Sequence, residues 1–153
     1  MERNSKRLEK VARFLETETT LALATVSKEG LSRVTPLFYL PQDGLRLFWF
    51  SSSASAHSRN LKRNPRSAVT VFRCTADWKE IRGVQMMGAV SVVSDAALRR
   101  AIAKTYTTRF HLGKVFVAAI SASTLYCFQP DWLRYIDNSR RFRYKFELSL
   151  PPA

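Results

Sequence analysis

Leu45-Arg-Leu-Phe-Trp-Phe50-Ser-Ser-Ser-Ala-Ser55-Ala-His57-Ser-Arg59-Asn-Leu-Lys-Arg-Asn-Pro65 is the stretch around which the chain is organised. Residues 45–50 form an apolar run with the length and aromatic content of a buried strand. A serine-rich loop follows, then a short basic helical pattern over 55–64 that Pro65 ends. A strand that feeds hydroxyls into a helix start suits an anion. The first-turn N–H groups have no intrahelical partner, and the helix dipole favours negative charge there. Ser51, Ser52, Ser53 and Ser55 add hydroxyls, and His57 and Arg59 add positive charge, which would suit a phosphate group. The same residues also read as a solvated loop with a single serine N-cap. The stretch by itself leaves both readings open.

Outward from there, the pattern alternates short strands with turns. Residues 5–18 place Leu8, Val11, Ala12, Phe14 and Leu15 at helical spacing. Residues 20–27 and 31–40 read as a hairpin around Lys28-Glu-Gly30, and Pro36 marks an edge or a bulge in the second strand. Pro41-Gln-Asp-Gly44 is a turn. Strands are expected over 67–74 and 80–93, the latter with Gly83 and Gly88 as bends or close approaches. Asp95 caps a helix over about 96–107, and 109–113 is a loop. Residues 115–120 and 124–128 are expected as strands, with a further one over 132–136, before a basic, aromatic tail over 137–153. Dominant short antiparallel strands with frequent turns predict a mainly β fold, a Greek-key-like antiparallel barrel with helices packed outside it. The whole of 1–153 reads as a single domain.

Composition narrows the function classes. The chain has 153 residues, 46% hydrophobic and 24% charged, ordinary for a globular protein. Cys74 and Cys127 sit in apolar runs without metal-ligand spacing and read as buried, reduced thiols. No apolar run reaches spanning length and the N-terminus lacks a secretion-signal core, so a cytoplasmic protein without a membrane partner is expected. The net charge of +13 is spread over 59–66, 99–114 and 134–145. It reads as solubility or as a polyanionic partner, with nucleic acid as one such partner. Catalytic triads, zinc spacings and glycine-rich nucleotide loops are absent from the sequence, so no catalytic residue and no metal site is assigned.

The order and spacing of several motifs resemble those of the pyridoxamine 5′-phosphate oxidase-like, FMN-binding split-barrel family over roughly 8–137. The carriers are Leu21-Ala-Leu-Ala-Thr-Val-Ser27 with Gly30, Arg33-Val-Thr-Pro36, Leu47-Phe-Trp-Phe-Ser51, Ser55-Ala-His57, Asn60-Leu61, Arg63-Asn-Pro-Arg-Ser-Ala-Val69 and Trp78-Lys-Glu-Ile-Arg-Gly-Val-Gln-Met-Met-Gly88. The resemblance implies a homodimer holding FMN at its subunit interface and an oxidoreductase acting on a small-molecule substrate. It places Arg33, Val34, Thr35 and Pro36 along the flavin ring and Phe50 and Ser51 near the ribityl chain. Ser55 and His57 take the positions of a phosphate-binding serine and lysine, and Gln85 that of a flavin-contacting glutamine. His57 in place of a lysine predicts flavin affinity that falls at high pH, because an unperturbed histidine is only roughly a quarter charged at pH 7.

At the other end, Phe128-Gln-Pro-Asp-Trp-Leu-Arg-Tyr-Ile-Asp-Asn138 is similar to a poorly characterised branch of that family. Arg134 and Asp137 match the oxidase pattern, whereas Phe128 replaces a tryptophan and Asn138 an arginine. The oxidase reaction itself is therefore not implied. Trp132 and Arg134 are the substrate-side candidates. A non-catalytic module binding flavin or haem is the alternative; haem would require an axial His, Cys or Tyr, and His111 is the only spare histidine.

Overall fold

The computed structural model describes residues 2–42, 45–140 and 144–151. The elements in chain order are α1 (Glu2–Thr17), β1 (Thr20–Val26), β2 (Ser32–Phe38), β3 (Leu40–Gln42), β4 (Arg46–Ser51), α2 (Ala56–Arg63) and β5 (Arg66–Phe72). After a 3₁₀ turn (Trp78–Glu80) come β6 (Arg82–Val92), α3 (Ala96–Arg109), α4 (Lys114–Ala122), β7 (Thr124–Asp137) and β8 (Lys145–Ser149).

The eight strands form one antiparallel sheet in the order β2-β1-β5-β6-β7-β4-β3, with β8 also on β7. Its two ends, β2 and β3, are separated in the chain by Tyr39 alone. The edges therefore lie side by side and the sheet curls into a half-barrel. Tyr39 anchors that corner: it is fully buried, its hydroxyl donates to the Leu15 carbonyl at 2.6 Å, and its N–H donates to the Thr19 carbonyl at 3.2 Å. The expected single strand over 31–40 is thus broken at Tyr39, because its two parts serve opposite ends of the sheet. Pro36 lies on edge strand β2, where its missing N–H costs no ladder bond.

Period-two alternation fills the barrel. Leu21 and Leu23 of β1, Val69 and Val71 of β5, Val84 and Met86 of β6, and Leu133 and Tyr135 of β7 face inward and are buried together with Trp49 and Phe128. Val11, Phe14 and Leu15 of α1 close this core from one side. A second cluster, with Phe48, Ile102, Tyr106, Ile120 and Leu125, seats α3 and α4 on β4 and β7.

Strand β7 is the longest, and it carries β4 on its first half and β8 on its second, with β6 along its other edge. The 124–128 and 132–136 segments, expected separately, are one strand. Pro130 sits at the handover, where the β6–β7 register shifts between Met87 and Gly88. A Cβ on Gly88 would overlap the Gln129 carbonyl oxygen, so the close approach expected of this glycine is real.

Three further expectations are corrected. Residues 115–120 are helical in α4: β7 already has a partner on each edge, and Ala118, Ala119 and Ala122 favour helix once Gly113 starts it. Only Ile120 of α4 is buried. Within the tail, 145–149 forms β8, with Phe146 and Leu148 inward; Arg141, Phe142, Arg143, Pro152 and Ala153 lie outside the described residues. Cys127 is buried as expected, but Cys74 is exposed, beyond the end of β5. Among the described residues no helix is long and apolar enough to cross a membrane.

Candidate functional site

The quoted stretch folds as its chemistry suggests. Ser55 is the N-cap of α2, its Oγ accepting from the Ser58 N–H at 3.3 Å. Below it, Ser51 Oγ lies 2.6 Å and Ser55 Oγ 3.0 Å from His57 Nε2. His57 is buried, and burial lowers its pKa below the ordinary histidine value. At neutral pH it is therefore an uncharged member of a serine–histidine network inside the α2 end of the barrel. Asn60, also buried, donates to Thr25 Oγ1 at 3.0 Å and ties α2 to β1.

The positive charge comes from elsewhere. A recess of about 300 Å³ lies between the β1–β2 turn and α2, and Lys28, Arg33, Arg59 and Arg63 face a single carboxylate, Glu29, across it. Ala56 of the first turn of α2 also lines it. Arg59 and Arg63 are one helical turn apart on the same face. Glu29 accepts from Ser27 Oγ at 2.9 Å; this bond first, then a bond from its own backbone N–H, and last the nearby Arg63 and Arg33 charges hold its carboxyl below the ordinary range. Gly30, at φ 79°, makes the turn that brings Arg33 to this wall.

A second concavity lies on the outer face of the sheet. It is an apolar groove of about 330 Å³ floored by Ala22, Ala24, Ala68 and Thr70 and flanked by Val34, Gln85, Met87 and Trp132. Small side chains on the two neighbouring strands β1 and β5 leave a flat floor. The outward residues Val26, Val34, Phe72 and Met87 surround it with exposures of 42%, 67%, 59% and 44%, an apolar sheet face left open to solvent.

The sequence-derived candidates thus divide between two places. Arg33 belongs to the recess; Val34, Gln85 and Trp132 belong to the groove. Arg33 and Val34 are successive residues of edge strand β2, paired with inward Thr25 and outward Ala24, so the recess and the groove lie on the two sides of that edge. Thr35 is half-buried and Pro36 exposed, paired with Leu23 and Ala22. Ser51, Ser55 and His57 line neither concavity; His57 is buried and the two serines are half-buried. Phe50 points elsewhere, its ring edge-on to Tyr106 at 5.3 Å beneath α3. Arg134, a candidate for an anionic substrate, donates to Glu147 at 2.8 Å and sits over the Trp132 ring at 5.6 Å. Arg63 and Asn60 were not singled out as site residues from sequence; the four-residue spacing of Arg59 and Arg63 is the signal that finds the first. His111 is exposed in a turn at φ 50°, away from both concavities. No cluster of metal-ligating side chains occurs among the described residues.

The curled antiparallel sheet with flanking helices, its end strands β2 and β3 joined through Tyr39, is a split barrel. The sequence profile of the pyridoxamine 5′-phosphate oxidase family matches residues 8–137, and the chain belongs to that family. Solved structures with the same fold include a conserved hypothetical protein of Mycobacterium tuberculosis, 18% identical with a TM-score of 0.77, covering 95% of this chain and 92% of that one. A protein of Clostridium acetobutylicum related to general stress protein 26 is 16% identical with a TM-score of 0.68, each chain covered to 95%. HutZ, the haem storage protein of Vibrio cholerae, is 21% identical with a TM-score of 0.67, covering 80% of this chain and 88% of its own. No curated protein sequence matches the chain.

Proposed function

We propose that the chain binds FMN as a homodimer and works as an oxidoreductase on a small substrate. The observation that carries this reading is a cationic recess and a flat apolar groove on the two sides of one edge strand, at Arg33 and Val34, which a ligand bent over that edge would occupy together. A flavin mononucleotide has the matching halves, a phosphate dianion and a planar ring. Arg33, Arg59 and Arg63 would hold the phosphate with the free N–H groups of the first turn of α2. The groove, with Ala22, Ala24 and Ala68 beneath and Gln85 and Trp132 beside it, would take the ring. The exposed apolar face around the groove supports a second copy of the chain as the cover. When bound, the flavin supplies the hydride and electron chemistry, while these side chains bind, orient and exclude water.

The fit differs from the lysine pattern in one respect. His57 is buried and uncharged, so the arginines carry the phosphate-side charge. A haem reading has the fold likeness to HutZ, a haem storage protein, behind it, but the groove lining offers no His, Cys or Tyr and only the thioethers of Met86 and Met87. The test is the visible spectrum of purified protein after saturation with FMN, or with haem, followed by dialysis. Flavin bands retained in equal amount to the chain support the proposal. A Soret band retained with haem and no retained flavin would replace it with the haem module.

A further inference from the structure

On the opposite side of the sheet from the groove, a cleft of about 440 Å³ opens beside α1. Alternation along β6 and β7 turns Arg82, Tyr135 and Asp137 toward α1, whereas Gln85 and Trp132 turn toward the groove. Lys10, Arg13, Arg73, Arg82 and Arg140 converge on this cleft, and Asp137 is the only carboxylate in its lining. The five cations arrive from α1, the end of β5, β6 and the end of β7, so no single charged helix face accounts for them.

Asp137 is already satisfied. It accepts from Lys10 Nζ at 2.8 Å and from Ser139 Oγ at 2.6 Å, and Arg82 Nε lies 3.4 Å away. Burial by itself would raise its pKa; the Lys10 and Ser139 bonds and the Arg82 charge more than offset that and hold it below the ordinary carboxylate range. Its single charge is therefore matched by Lys10. Arg73 reaches Glu18 only at 3.4 Å, and among the described residues neither Arg13 nor Arg140 has a carboxylate within ion-pair distance. Arg82 Nε is buried and makes no hydrogen bond among the described residues. Phe14 and Tyr135 give the cleft apolar walls, which strengthen charge pairing within it.

From this surplus we infer a second ligand site, for a small organic anion carrying two or more negative charges, such as a phosphate ester or diphosphate. Arg13, Arg82 and Arg140 contact the anion, with Asp137 and Ser139, the latter accepting from Arg82 Nη2 at 2.7 Å, fixing Arg82 in place. The site is separate from the flavin recess and does not depend on it.

Titration calorimetry of the full chain with inorganic pyrophosphate tests the assignment, using two variants that lose the same charge. In Arg13→Gln/Arg140→Gln the affinity is expected to fall at least about tenfold, the effect of losing a charge-assisted contact. In Arg33→Gln/Arg63→Gln a tight component should remain. Circular dichroism controls for folding, and Arg13→Lys/Arg140→Lys should recover much of the affinity. The inference is overturned if the wild type shows no binding at millimolar pyrophosphate. It is equally overturned if Arg13→Gln/Arg140→Gln binds as the wild type does, or if Arg33→Gln/Arg63→Gln abolishes all binding.

Discussion

The two faces of the same strands do different work. Along β1, Leu21, Leu23 and Thr25 are buried inside the barrel, while Ala22 and Ala24 floor the groove outside. Along β6, Val84 and Met86 are core and Gln85 and Met87 are groove. Large side chains inward stabilise the fold by burial, about 25 cal/mol per Å² of apolar surface. Small ones outward leave a shape for a ligand or a second chain. A one-residue register slip would exchange the two sets, so the packed face also fixes the geometry of the open one.

The sharpest contrast is between neighbours on β1. Leu23→Ala should lower unfolding free energy by about 3 kcal/mol in urea, because it opens a cavity in the core. Ala24→Leu should change stability by no more than about 0.5 kcal/mol, since its side chain faces outward. Flavin affinity in that variant should nevertheless fall at least about tenfold, because the added side chain fills the groove floor. Equal effects of the two on stability would break the comparison.

At the α1 side, Asp137→Asn should cost about 3 kcal/mol, because it leaves Lys10 and Arg82 without their buried partner. The wild-type carboxyl is depressed in the folded state. Its contribution is therefore fully present above the unfolded carboxylate value near pH 4 and is lost as pH falls through the lower folded value. The variant should show a smaller decline in stability on acidification, read by denaturant midpoints across that range.

Arg33→Gln should weaken FMN about tenfold or more with stability unchanged within about 0.5 kcal/mol, since Arg33 is exposed. The smallest expected effect is in pH dependence. Because burial lowers the pKa of His57, the unfolded chain takes up its proton first, and stability declines as pH drops below the ordinary histidine value near 6.5. With an uncharged His57 and arginines at the recess, FMN affinity should stay flat from about pH 7 to 9. This replaces the falling profile that a charged His57 would give, and fluorescence titration distinguishes the two.

Much of the barrel was legible because its signals are local. The period-two runs of β1, β5 and β6, the continuous apolar run of β4, the Ser55 and Asp95 caps and the Pro36 edge strand all follow from neighbouring residues. The errors fall where partners decide. Residues 115–120 have strand composition, but the strand that follows them, β7, is already paired on both edges. Residues 145–149 alternate in a charged context and become a strand only because half of β7 is free on that side. In the candidate site, the serine loop and Arg33 were legible as anion chemistry. The burial of His57 was not, because it depends on Ser51 and Ser55 folding over the ring. The pairing of Arg134 with Glu147 depends likewise on β8 forming.

The most direct measurement compares FMN with riboflavin in fluorescence titrations of the wild-type protein and of Arg33→Gln/Arg63→Gln. The recess makes the phosphate a principal contact, so the wild type should bind FMN at least about tenfold more tightly than riboflavin, and the variant should lose that preference. Equal binding of FMN and riboflavin by the wild type, or binding of neither, would contradict the account.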